Sequence, residues 1–129
     1  MEIAADLLEQ IVDHARRDAP VECCGIVALR DGRAVEVIPV ENQAASPLRF
    51  EFGARDILRL GQLEEAVIYH SHTRSDPVPS QTDVNFAANW PGVQWLIVGV
   101  AGDAPDIRNW RIEDGQVTQV EVRVDGAAG

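Results

Sequence analysis

The chain of 129 residues has no apolar run approaching the length of a membrane span, so no segment reads as a transmembrane helix. Its first ten residues, MEIAADLLEQ, lack the basic patch and apolar stretch of a secretory signal peptide. Basic residues are in deficit, with 11 Lys+Arg against 21 Asp+Glu and a formal net charge of −10. Binding a phosphate backbone requires a basic face, so nucleic acid is not an expected partner. Cysteine is scarce. Cys23 and Cys24 are adjacent, and neighbours on a strand point to opposite faces, which is poor geometry for a mutual bridge. Two cysteines make no disulfide framework; they read as small buried hydrophobes in a reducing compartment. The expected location is the cytoplasm, with no membrane partner. Repeats, low-complexity tracts and Pro/Gly/Ser-rich linkers are also missing. That implies one domain over residues 1–129, with a frayed tail at 125–129.

A core can nevertheless form without staples, because 46% of the residues are hydrophobic. The spacing of Ile3, Leu7, Leu8, Ile11 and Ala15 predicts a helix over 5–17, stopped before Pro20. His14, at the edge of that stripe, has no ligand-type neighbours in sequence and reads as structural or exposed. Residues 25–30 and 33–40 read as two strands joined by the hairpin turn Asp31-Gly32. A polar loop over 41–47 follows, then a short alternating strand over 48–52. A second helix covers 54–64, with Ile57, Leu58 and Leu60 as its buried candidates. An apolar strand over 66–69 leads into His70, a third helix covers 80–89, and strands cover 95–100 and 107–112. After the turn Asp114-Gly115 a last alternating strand covers 117–124. Frequent hairpins mixed with helices argue for a mixed α+β sheet with helices packed on it.

Residues 70–83 read HSHTRSDPVPSQTD. Residues two apart on a strand share a face, so His70 and His72 can aim both imidazoles at one point, and neutral imidazole is a good zinc ligand. If a helix starts near Ser80, Ser80 and Asp83 share its first turn, and Asp83 can supply a third ligand. Two imidazoles and one carboxylate leave a fourth tetrahedral position open, as in catalytic zinc sites. Ser-x-x-Asp is also an ordinary helix-capping pattern, and both readings stand at this point. Hydrolysis at such a centre needs a base that is not itself a ligand. Glu22, Glu36, Glu51, Glu64 and Glu65 are candidates, with Glu22 favoured by its place at the mouth of a strand, in PVECCG.

These residues resemble the JAMM (MPN-plus) zinc metallopeptidases. Their pattern is an upstream glutamate, then His-Ser/Thr-His, seven residues, Ser, two residues and Asp, and it is filled here by Glu22, His70-Ser71-His72, Ser80 and Asp83. The surroundings of Glu22 also look like the family's Pro-x-Glu-x-Cys-Gly segment. The resemblance covers nearly the whole chain. It implies a single JAMM/MPN-like domain with a mixed, mostly antiparallel sheet flanked by helices. It further implies one Zn2+ per chain on His70, His72 and Asp83, Glu22 as general base and acid on a zinc-activated water, and Ser80 donating a hydrogen bond to the oxyanion. Some family forms have Pro where this chain has Thr73, a position that is not a ligand.

Compact chains of this kind resemble prokaryotic members that act on ubiquitin-like or sulfur carrier proteins. The implied reaction is hydrolysis of an amide bond after a C-terminal Gly-Gly. Such a tail can bind extended along a strand edge. Residues 48–52 and the loop 73–79 are candidates for that groove, which makes Phe50, Thr73 and Arg74 candidate substrate contacts. The alternative for 48–52 is a set of core side chains on an edge strand. A non-catalytic MPN-like scaffold is the alternative function, distinguished by zinc content. Two-metal His-x-His hydrolases need further ligands that the chain lacks, and the adjacent cysteines fail the Cys-x-x-Cys spacing of zinc deaminases.

Overall fold

In the computed structural model, which describes residues 1–126, the apolar runs Gly25–Leu29, Ala66–Tyr69 and Trp95–Val98 become the middle strands of one sheet. In chain order the elements are β1 (Glu2–Ala4), α1 (Ala5–Asp18), β2 (Cys24–Arg30), β3 (Arg33–Val40), α2 (Ala54–Gly61), β4 (Ala66–His72), α3 (Gln81–Ala87), β5 (Gln94–Gly99), β6 (Asp106–Glu113), β7 (Gln116–Val120) and β8 (Arg123–Asp125). The sheet order is β7-β6-β5-β4-β2-β3-β1-β8. Four neighbouring pairs are antiparallel and three are parallel, namely β1–β3, β1–β8 and β4–β5. The mixed α+β architecture expected from the sequence is therefore present. Among the described residues no helix is long and apolar enough to cross a membrane.

β7 and β8 occupy opposite ends of the sheet order, yet only Glu121 and Val122 separate them. Three Cα–Cα steps reach at most about 11 Å, so the sheet must curl until its ends meet at that corner. The Met1 ammonium closes the corner by donating to the Glu121 carbonyl (2.9 Å), and the Arg123 N–H donates to the Met1 carbonyl (2.9 Å).

The two-residue period of the strands sorts the core into two layers. Val27, Val67, Tyr69, Leu96 and Val98 face α1, against Ile3, Ile11 and Ala15. Cys24, Ile26, Ile68 and Trp95 face the other way, against Phe50, Phe52, Leu60 and Ala87. On β4 this alternation puts His70 and His72 on the Ile68 face and Ser71 on the Tyr69 face. α1 itself is favoured by Asp6 in its first turn and Arg16 and Arg17 in its last. His14 is buried: its Nδ1 meets the Tyr69 hydroxyl at 2.7 Å and its Nε2 lies 3.1 Å from Asp18. That chain fastens α1 to β4.

Several expectations are corrected. Residues 48–52 form an irregular loop, because its backbone groups bond to Asn42 and Gln43 and pair with no strand. α2 ends at Gly61, and although Leu60 is buried, Ile57 and Leu58 are 41% and 68% exposed. The strand expected over 117–124 is two strands, because the chain leaves the β6 edge at Val120 and crosses to β1. Asp125 belongs to β8 and is paired with Arg33, so the expected fraying does not reach it. Residues 127–129 of that tail lie outside the described residues.

Candidate metal centre

β4 and β5 are parallel, so a crossover must connect them, and residues 73–93 supply it. The crossover leaves β4 directly after His72. It passes through the loop 73–80 and starts α3 at the same end of the sheet. β2 runs antiparallel to β4 with Cys24 opposite His70. The segment entering β2 is thereby delivered to that end too. Three stretches distant in sequence thus meet at one point for topological reasons.

Glu22, His70, His72 and Asp83 come together there, with one ligand-type atom from each lying within 4.8 Å of the others. All four are buried. Asp83 bridges the imidazoles: Oδ1 is 3.2 Å from His70 Nε2 and Oδ2 is 3.2 Å from His72 Nε2. Glu22 Oε1 stands 3.9 Å from His70 Nε2. Ligands about 2.0–2.1 Å from a tetrahedral zinc stand roughly 3.3 Å apart, so the Asp83–histidine spacings match a shared ion.

The hydrogen-bond pattern points the same way. His72 Nδ1 faces the Asp76 carbonyl at 2.8 Å and must donate its hydrogen to it. The neutral ring then presents a bare Nε2 to the Asp83 carboxylate, lone pair against lone pair, which only a proton or a cation between them relieves. His70 Nε2 is equally close to Asp83, but its angles make no hydrogen bond. Both ring nitrogens of His70, and Glu22 Oε1, are buried without a partner. Two of these orphaned atoms, His70 Nε2 and Glu22 Oε1, face each other at 3.9 Å, as expected of a site built for a cation.

The electrostatics follow from burial and neighbours. Burial pushes the Glu22 carboxyl up to about 8, with His72 opposing and Asp83 reinforcing the shift. Burial also opposes the charge on Asp83. The neighbouring imidazoles of His70 and His72 and the Ser80 N–H outweigh it, and hold the carboxyl well below the usual carboxylate range. For His72, burial is outweighed by Asp83 and the Asp76 carbonyl, so its pKa is raised. Cys23 and Cys24 are both buried and free, and burial pushes Cys23 up to about 12, leaving it unreactive.

The two readings of Ser80 and Asp83 merge. Ser80 is the N-cap of α3: Asp83 N–H donates to Ser80 Oγ (3.1 Å), and Ser80 N–H donates to Asp83 Oδ2 (2.9 Å). The cap therefore holds the same carboxylate that faces both histidines. Phe50 is not an exposed groove residue; it is 7% exposed, and its ring stacks on His70 with centroids 4.7 Å apart. The Thr73 hydroxyl donates to the Pro20 carbonyl (3.2 Å), and Arg74 is exposed in the same loop.

Residues without a chemical signal in the sequence complete the support. Trp110 Nε1 donates to the Pro77 carbonyl (2.9 Å), next to the Asp76 carbonyl that orients His72. Pro77 in turn packs on Gly99, where a Cβ would lie 3.0 Å from Pro77 Cδ. Asn42, part of a stretch that reads only as a polar loop, donates to the Glu22 carbonyl at 2.8 Å.

Similarity to known proteins agrees with this geometry. The family described as prokaryotic homologs of the JAB domain matches residues 4–113. The CysO-cysteine peptidase of Mycobacterium tuberculosis is 37% identical over 131 aligned positions, covering 95% of this chain and 89% of that protein. The desampylase of Haloferax volcanii is 37% identical over 115 positions, covering 79% of this chain and 82% of that one. Among solved structures, a JAB1/MPN domain protein from Archaeoglobus fulgidus shares the fold with a TM-score of 0.63 at 23% identity, covering 96% of this chain and 98% of that one.

Proposed function

The chain belongs to the prokaryotic homologs of the JAB domain, and on that premise we propose that it is a zinc-dependent peptidase or isopeptidase acting after the Gly-Gly end of a ubiquitin-like or sulfur carrier protein. The observation that carries this reading is the buried quartet of Glu22, His70, His72 and Asp83, whose ligand-type atoms lie within 4.8 Å of one another. Its chemistry suits one zinc per chain on the two imidazoles and the Asp83 carboxylate. Zinc bound there supplies a Lewis acid for the carbonyl and lowers the pKa of water toward neutrality.

The protein's own groups do the rest. Glu22, too far from His70 for direct bonding, takes the proton from the attacking water on its carboxylate and returns it to the leaving amine. Ser80 accepts a hydrogen bond from Asp83 N–H, which leaves its own hydroxyl hydrogen free to donate to the oxygen of the scissile carbonyl. His72 is kept in one tautomer by the Asp76 carbonyl. The substrate class follows relatives named as a CysO-cysteine peptidase and a desampylase. The two free buried cysteines support a reducing compartment, the cytoplasm, and we take residues 1–129 as one working domain.

The test uses a carrier ending in Gly-Gly with cysteine attached, such as CysO–cysteine. Zinc-loaded wild type releases cysteine. Glu22→Gln keeps one zinc by calorimetry and loses rate on the order of 10²- to 10⁴-fold. His72→Ala loses the zinc. Cleavage by Glu22→Gln at the wild-type rate refutes the role of Glu22, and absence of zinc from the folded wild type refutes the site.

A further inference from the structure

Glu22 lies two residues before β2 begins at Cys24, outside the strand ladder. A proton-transfer group must nevertheless hold its position closely, and a displacement of about 1 Å costs on the order of 10²-fold in rate. Its backbone is gripped from two sides instead. On one side, Cys23 N–H donates to Ser71 Oγ (2.8 Å) and Ser71 N–H donates to the Cys23 carbonyl (3.1 Å). On the other, Glu22 N–H donates to the Ser46 carbonyl (2.9 Å), and the Glu22 carbonyl accepts from Asn42 Nδ2 (2.8 Å).

Asn42 is 8% exposed, and its amide has no polar capacity left over. Nδ2 also donates to the Arg49 carbonyl (3.0 Å), while Oδ1 accepts from Ala44 N–H (2.9 Å) and Glu51 N–H (3.0 Å). Two donors and two acceptor sites are the full complement of a side-chain amide. The loop it closes carries Phe50, whose ring stacks on His70. A single buried amide thus joins the backbone of Glu22 to the wall behind His70.

We propose that Asn42 is a positioning residue for hydrolysis, holding Glu22 and the Phe50–His70 wall in one rigid arrangement. This rests on the reading of Glu22 as the base. Asn42 touches none of the candidate ligands, so it acts on the rate and leaves the metal alone.

Asn42→Asp and Asn42→Ala test it together. Aspartate can still accept from Ala44 and Glu51, but it has lost both donors and sets a carboxylate oxygen against the Glu22 and Arg49 carbonyls. Alanine loses everything. Each is assayed on CysO–cysteine for kcat and KM, with zinc content and thermal unfolding measured on the same preparations. The expected result for both is a fall in kcat on the order of tenfold to a hundredfold, KM within about twofold, one zinc per chain, and a lowered Tm. Whichever variant folds decides the matter. A folded, zinc-loaded variant with wild-type kcat overturns the proposal, and so does a rise in KM at unchanged kcat, which would make Asn42 a support for substrate binding. The parent reading fails separately: if Glu22→Gln cleaves at the wild-type rate, the base is elsewhere and the role of Asn42 falls with it.

Discussion

Ser71 sits between the two histidines, yet it faces the opposite layer and is fully buried. Its hydroxyl accepts the Cys23 N–H at 2.8 Å, and Cys23 is also fully buried. Replacing Ser71 by Ala removes that acceptor without admitting water. A buried N–H left without a partner costs about 1–3 kcal/mol. An unfolding entropy of about 2.1 cal/mol/K per residue over the 129 residues is about 0.27 kcal/mol/K. Ser71→Ala should therefore lower Tm by about 4–11 °C. Zinc content should stay at one per chain, because the mutated side chain points away from His70 and His72. The assay is thermal unfolding followed by circular dichroism on chelator-treated protein, so that metal linkage does not mask the change. Ser71→Thr keeps the hydroxyl and should recover most of the loss. An unchanged Tm in Ser71→Ala would show that Cys23 N–H finds another partner, and would refute the clamp on the Glu22 segment.

Three further expectations follow from the same packing and charges. Gly25 has no room for a side chain, since a Cβ there would lie 2.1 Å from Tyr69 Cε2 in a ring that is fully buried. Gly25→Ala should cost about 1–3 kcal/mol of overpacking or more, read as a lowered Tm; an unaltered Tm would mean the Tyr69 ring shifts freely. In metal-free protein the Glu22 carboxyl is raised from its ordinary 4.5 to about 8, chiefly by burial. The folded state then holds a proton that the unfolded state has released, so stability is fullest below 4.5 and falls as pH rises through about 8. Glu22→Gln removes this dependence, and its Tm advantage over wild type should widen across that window; parallel pH profiles would refute it. His14 has the opposite sign. Burial lowers its pKa below 6.5 against the pull of Asp18, so its stabilising contribution is present above 6.5 and is lost as pH falls through the lowered value.

Much of the fold was legible because its signals are local. Asp31-Gly32 and Asp114-Gly115 mark the two hairpins, and Asp31, Gly32, Asp114 and Gly115 all adopt the positive φ that such turns need. β3 runs over Arg33–Val40, the bounds read from the sequence after the Asp31-Gly32 turn. Residues 48–52 misled for a physical reason. Alternating Leu, Phe and Phe mimic a strand, but whether such a run pairs depends on a free strand edge beside it, and here the Asn42 amide takes up its backbone groups instead. The strand expected over 117–124 failed in the same way: alternation says which face a residue takes and nothing about which neighbour it joins.

The sequence by itself determined the donor set. Strand periodicity allows His70 and His72 to share a face where the strand runs through them, and a helix start at Ser80 places Ser80 and Asp83 in one first turn. Only the tertiary structure decided what surrounds them. Cys24 opposite His70 is a register between residues more than forty positions apart in the chain, and it selects Glu22 from five candidate glutamates. The parallel β4–β5 pairing sends the crossover over that same end of the sheet, bringing Asp83 to both imidazoles and Asp76 behind His72. Asn42 and Phe50 acquire their roles from a loop folded onto that register. Short-range sterics set the first group, whereas the second depends on long-range pairing, which is specified by the packing of the whole core and by no single stretch of it.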